Sequence, residues 1–193
     1  RSRRWDLCRA YNCNVFTLLV GMIPEIYSVN SQASDADNPG RLIITSGMPA
    51  EIWDRFRTRF GVEISEVYGS TEAGGTLVNV KGAGPVGSMG KPLPGQIAAI
   101  LDGDDKECAP GVAGEISFKP KSAAPEKVSY FRNEKASNEK VHGGWYRSGD
   151  IGHMDEDGWF YFHYRAGGGI RRNGDFVSPA LGRYDERGGR ERG

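Results

Sequence analysis

Residues 41–67 constrain this chain more than any other stretch. The run RLIIT at 41–45 is β-branched and predicts a strand. Ser46-Gly47-Met48-Pro49 breaks it. Over 50–60, Ile52, Trp53, Phe56 and Phe60 share one face, which predicts an amphipathic helix that Gly61 ends. A second strand is predicted over 62–67. Two strands joined by a helix cannot pair as a hairpin, so the unit predicts a parallel sheet with the helix on one face. Upstream, a helix is expected over 4–11, a buried strand over 15–20 and a helix over 23–29 with Pro24 in its first turn. Residues 31–40 are polar, end in Asn-Pro-Gly and read as a surface loop.

After about residue 76 the pattern changes. Short strands are predicted over 97–101, 114–119, 145–147 and 159–163, separated by Gly, Pro and Asp-Gly turns. The run Asp155-Glu-Asp-Gly158 marks a hairpin. The expected fold class is therefore α/β: a partial large domain carrying the βαβ sheet, followed by a small β-barrel-like subdomain. The division predicted is 1–84, 85–165, then 166–180 as a hinge and the start of a further domain. The tail at 181–193, LGRYDERGGRERG, has almost no apolar content and is expected to be disordered or to stem from a frameshift or artificial terminus.

Composition removes several classes of function. Twenty-five basic and twenty-five acidic residues cancel, which argues against a nucleic-acid partner recruited by a basic surface. The longest near-apolar run, at 15–23, is about half the length a membrane helix needs. No transmembrane segment and no signal peptide are expected. Cys8, Cys13 and Cys108 are odd in number and lack metal-site spacing, so they read as reduced thiols of a cytoplasmic protein. Glycine is 28 of 193 residues, about twice its usual share. These glycines fall in loops that either turn tightly or let a backbone approach a ligand.

The chemistry gathers in a few loops. Tyr68-Gly69-Ser70-Thr71-Glu72-Ala73-Gly74-Gly75 directly follows a predicted parallel strand, the end at which ligands usually bind. Tyr68 offers a face to stack on a base, Thr71 a hydroxyl for a phosphate, and Glu72 a carboxylate for a hard cation such as Mg2+. The same residues also suit an ordinary strand-to-loop turn. Asp150, in Trp145-Tyr-Arg-Ser-Gly-Asp150, suits a ribose diol, or equally a turn. Arg165 can reach a phosphate or ribose oxygen, or remain solvated. His142, His153 and His163 show no metal pattern, and no Gly-x-Ser-x-Gly elbow supports a serine hydrolase.

Taken in order, SGMP, YGSTEAGG, GSMGKPLPG, GEISFKP, GWYRSGDIGHMDEDGWFYFHYR and IRRNGDFVSP resemble the AMP-forming acyl-CoA synthetases of the adenylate-forming superfamily. The resemblance spans about residues 4–180. The start, RWDLCRAYNCNVFTLLVGMI, is similar to crotonobetaine/carnitine- and fatty-acid–CoA ligases. It implies ATP, Mg2+ and coenzyme A as cofactors and a carboxylic acid as substrate. An acyl-adenylate forms first, and the thiol of coenzyme A then displaces AMP. By the same resemblance Tyr68 and Gly69 lie at the adenine, with Gly47 and Met48 in the loop lining that pocket. Thr71 contacts the α-phosphate, Glu72 is linked to magnesium, Asp150 binds the ribose hydroxyls, and Arg165 assists it. Gly74 and Gly75 border the acyl group, and Gly174 belongs to a turn used in thioester formation.

The departures carry equal weight. The family's Ser/Thr/Gly-rich phosphate loop is expected upstream of Arg1, and its C-terminal domain with the adenylation lysine beyond Pro179. The usual hinge Asp or Lys is replaced by Gly167. The chain alone is expected to be inactive in thioester synthesis and marginally stable, with an exposed sheet edge. An adenylation domain loading a carrier protein and a non-catalytic orphan are the alternatives. The oligomeric state is not encoded in any pattern.

Overall fold

The computed structural model describes residues 4–19, 21–72, 74–166, 170–172 and 175–177, the last two segments as backbone only. The first half holds α1 (Arg4–Ala10), β1 (Val15–Leu19), α2 (Met22–Ser28), β2 (Leu42–Ser46), α3 (Trp53–Phe60), β3 (Glu63–Gly69), β4 (Thr76–Asn79) and β5 (Lys91–Pro92). The five strands form one sheet in the order β1-β2-β3-β4-β5. Strands β1, β2 and β3 run parallel, as the strand–helix–strand pattern requires, and β4 and β5 are added antiparallel. The first sheet therefore reaches Pro92, past the break expected at residue 84.

The helical periodicity of 50–60 explains the first core. One 3-10 turn at Ala50–Ile52 leads into α3, which buries Trp53, Phe56 and Phe60. These pack with Leu18, Ile23, Ile43, Met48, Val62 and Ile64 from the sheet, its connecting loop and α2. Trp5 of α1 stacks on Phe60 at 4.7 Å. Burying an aromatic of this size contributes about 1.5–3 kcal/mol. Gly61 ends α3 at φ +63°, in the left-handed region, with its N–H on the Arg57 carbonyl. An added Cβ there meets nothing closer than 3.6 Å, so only backbone strain is at stake. Gly61→Ala is expected to lower stability by about 1 kcal/mol in urea unfolding; an unchanged midpoint would refute the left-handed cap.

One expectation is corrected. The strand at β1 is not buried: Val15 is 49% and Leu19 56% exposed, and only Leu18 lies in the core. It is an edge strand, with a partner on the β2 side only among the described residues. The loop at 31–40 lies mostly at the surface as expected, and it is also pinned. Arg59 on α3 donates to the Asp35 carboxylate at 2.7 Å and to the carbonyls of Tyr27 and Val29. Asp35 is only 8% exposed.

The second half contains β6 (Gln96–Leu101), β7 (Gly114–Pro120), α4 (Glu134–Lys140), β8 (Val141–His142), β9 (Trp145–Met154) and β10 (Phe160–Arg165). Strands β10-β9-β7-β6 form an antiparallel sheet, with β8 paired to β9. It is the half-barrel expected from the short strands and Gly-rich turns. Strand β9 is far longer than the predicted 145–147, and α4 was not predicted at all. Strands β11 (Ile170–Arg172) and β12 (Asp175–Val177) pair as a hairpin within the segment expected to be a hinge. Gly167, Gly174 and the tail at 181–193 lie outside the described residues.

The two sheets share a second core. Leu77 of β4 and Tyr68 of β3 pack with Ile100, Ile116, Phe118, Tyr146 and Phe160 of the second sheet. Backbone bonds stitch the join: Met89 N–H donates to the Phe160 carbonyl at 2.8 Å, and Phe160 N–H to the Gly90 carbonyl at 3.1 Å. The sheets therefore meet at the end of β3, where the polar loop begins.

Candidate functional site: a carboxylate bridging two sheets

Asp150 sits in the middle of β9 and is 6% exposed. Burying a carboxylate is costly unless it is paired, and Asp150 is paired from both sheets. The Tyr68 hydroxyl of β3 donates to its Oδ2 at 2.7 Å, and Arg165 Nη1 of β10 donates to its Oδ1 at 2.9 Å. The three residues that the sequence offered separately therefore converge on one carboxylate. Burial, reinforced by the Asp150 charge, raises the Tyr68 phenol above its ordinary value, so it remains a donor. One face of its ring is stacked on Phe118 at 6.2 Å.

The register explains how Arg165 reaches Asp150. Antiparallel pairing runs Phe160–Met154, Tyr161–His153, Phe162–Gly152, then shifts, so that Tyr164 opposes Ile151 and Arg165 opposes Asp150. His163 is the extra residue of this bulge. Were His163 paired in the ladder instead of bulged out, Arg165 would fall opposite Gly149. A bulge of this kind re-aims a side chain next to a site. His163 itself meets His153 at 2.8 Å between ring nitrogens. A second layer holds the strand: Glu115 accepts the Gly149 N–H at 2.7 Å and pairs with Arg147, which also pairs with Asp105.

The loop after β3 carries Glu72. Tyr130, on the irregular run before α4, donates to Glu72 Oε1 at 2.5 Å. That bond holds the Glu72 carboxyl down to about 2, so it is ionised at any ordinary pH. Burial and the Glu72 charge push Tyr130 up to about 12. No cluster of three or more His, Cys, Asp or Glu side chains exists among the described residues. One ionised carboxylate beside an exposed Thr71 still fits Mg2+, which keeps several waters and is completed by substrate phosphates rather than by a protein cage.

Gly47 and Met48 form the turn after β2, Gly47 at φ +85°. Met48 is buried in the first core, so what this loop offers a ligand is backbone. The loop is held by a residue the sequence reading missed. Glu66 of β3 is 6% exposed, and its carboxylate accepts the N–H groups of Gly47 and Met48. Burial pushes its pKa up to about 7 against the pull of those two bonds. The available signal was an acid in the interior of a predicted strand, between Ser65 and Val67.

Gly69 lies at the exposed end of β3, and Gly74 and Gly75 turn under the second sheet. A Cβ on Gly74 would lie 2.8 Å from Tyr146, and one on Gly75 would overlap the Phe118 ring. The crevice they line with Tyr68, Phe118 and Tyr146 has room for about 10 Å³, about one water molecule. Beside it an open cleft of about 1430 Å³ is bordered by Tyr130, Lys140, Arg147, Ser148 and Arg165.

The family model described as AMP-binding enzyme matches residues 1–125, and the chain belongs to that family. Among curated relatives it is 36% identical over 148 residues to the medium/long-chain-fatty-acid–CoA ligase FadD17 of Mycobacterium tuberculosis, covering 76% of this chain and 28% of that protein. A solved o-succinylbenzoate CoA synthetase from Bacillus subtilis, a double mutant bound with a product analogue, superposes with TM-score 0.72 at 24% identity, covering 89% of this chain and 35% of that one. The same enzyme in complex with ATP and magnesium ion gives TM-score 0.64 at 26% identity over the same shares. The chain thus spans about a third of the length of the proteins it matches.

Proposed function

We propose that this chain carries the nucleotide half-site of an ATP-dependent carboxylate–CoA ligase. Asp150 takes the two ribose hydroxyls, with Arg165 orienting the carboxylate. Tyr68 and Gly69 border the adenine, whose pocket is closed by the Gly47–Met48 backbone. Thr71 meets the α-phosphate, and Glu72 holds Mg2+, which when bound supplies positive charge against the phosphate oxygens. The overall reaction joins a carboxylic acid to AMP with release of pyrophosphate. The thiol of coenzyme A then displaces AMP to give the thioester. Medium- to long-chain fatty acids, after the FadD17 relative, are the first acids to test. A chain bordering Gly74 and Gly75 has to displace Phe118 or Tyr146 from the crevice. Within the proposal, residues 1–84 supply the adenine and phosphate contacts and 85–165 the ribose contacts, with 166–180 as the hinge. No helix among the described residues is long and apolar enough to cross a membrane, and the proposal places the enzyme in the cytoplasm.

The observation that carries this reading is the convergence of Tyr68 and Arg165 on buried Asp150. Such a carboxylate accepts charge-assisted bonds from a diol, each contributing about 1.5–3 kcal/mol. Asp150→Asn keeps the shape and removes the charge. Calorimetric affinity for AMP or ATP is expected to fall about tenfold or more. Equal affinity in both chains would defeat the assignment.

A further inference from the structure

Tyr130 comes from a stretch, Ser129-Tyr-Phe-Arg-Asn133, in which no sequence pattern marked it. Its phenol nevertheless crosses 58 residues of chain separation to reach Glu72. The residue is held on its own side. Tyr130 N–H donates to Ser137 Oγ at 2.9 Å, Ser137 Oγ donates to the Asn133 carbonyl at 2.7 Å, and Asn133 Oδ1 accepts the Ala136 N–H at 3.0 Å. The start of α4 is thus the mount for the tyrosine. Four residues earlier, Glu126 N–H donates to the Tyr146 hydroxyl at 2.7 Å and fastens the same run to β9. The neighbouring Phe131 is 89% exposed, whereas Tyr130 is half-buried. Of the two adjacent aromatics, the one with a hydroxyl is turned inward.

We propose that Tyr130 is a positioning residue for the cation-binding carboxylate: its hydroxyl fixes one oxygen of Glu72 and leaves the other for a Mg2+ ion carried by the nucleotide phosphates. The proposal rests on the nucleotide-site reading above and adds to it a residue that touches neither nucleotide nor cation. A carboxylate has lone pairs enough to accept a phenol and bind a cation together. Metal-binding carboxylates are themselves hydrogen-bonded, and loss of that partner typically costs about 10–100-fold in metal affinity.

The test uses the whole chain, with ATP titrated calorimetrically in MgCl2 and in EDTA. Tyr130→Phe removes one hydroxyl and keeps the ring. The Mg2+-dependent gain in ATP affinity is expected to fall about tenfold, with the affinity in EDTA unchanged. Ser137→Ala, which loosens the mount without touching Glu72, is expected to reproduce part of that loss. In a Glu72→Gln background Tyr130→Phe is expected to add nothing, since the two act as one unit. Equal losses with and without Mg2+, or no loss, overturn the positioning role while leaving the nucleotide site standing. A wild-type chain that binds no ATP in either condition overturns the site reading, and this role with it.

Discussion

Gly90→Ala is expected to leave the chain unable to hold its two sheets together. Gly90 adopts φ +104°, where L side chains are strained. The larger effect is steric. A Cβ at this position would overlap the backbone carbonyl group of Val78 and the amide nitrogen of Asn79, both on β4. Backbone cannot swing aside as a side-chain tip can. The same residue carries the join: its N–H donates to Ser88 Oγ at 3.0 Å and its carbonyl accepts the Phe160 N–H at 3.1 Å. Relief of the overlap must pull residues 88–90 off either β4 or β10. The expected loss exceeds about 4 kcal/mol, a large share of the stability of a marginal domain. The variant should show no cooperative unfolding transition and should expose the second core to a hydrophobic dye. A wild-type melting curve would contradict the close approach.

The second large effect is a pH dependence set by Glu66. Its carboxyl titrates near 7 in the fold against an ordinary value of 4.5. A carboxyl whose pKa is raised on folding holds its proton more tightly folded than unfolded. Between about pH 4.5 and 7 the folded chain keeps a proton the unfolded chain has released, and stability falls as pH rises through that window. The full swing is about 3 kcal/mol. Glu72, held down to about 2, acts with the opposite sign, but its contribution is lost only below about pH 4.5. Urea unfolding at pH 5 and pH 8 should find the wild-type chain more stable at pH 5. Glu66→Gln should flatten the difference. A slope that survives the substitution belongs to other groups and removes Glu66 as its source.

Much of this architecture was legible because hydrophobic period reports directly on sheet and helix faces. The spacing of Trp53, Phe56 and Phe60 fixed α3, and the strand–helix–strand order fixed its parallel strands. Strand β9 was read as three residues because Arg147-Ser-Gly-Asp150 looks like a turn. It is a strand because Asp150 and Ser148 are satisfied internally, Asp150 by Tyr68 and Arg165 and Ser148 Oγ by the Asp150 N–H. Local rules fail where function puts polar groups inside. Strand β1 misled in the other direction, since an apolar run does not say which of its faces has a partner. Tyr130 and Glu66 act through contacts distant in sequence, and neither local spacing nor composition carries that information.

The bulge at His163 has a consequence for how this hairpin tolerates change. Most surface hairpins accept insertions and deletions because length there carries no meaning. Between Phe160 and Arg165 length is a phase: with the bulge kept, one residue more sets the guanidinium opposite Gly149 and one fewer sets it opposite Ile151, on the other face in either case. A single-codon insertion here would uncouple the arginine from the aspartate while leaving every named residue of the site in the sequence, whereas loss of His163 itself would only restore regular pairing with Arg165 still opposite Asp150.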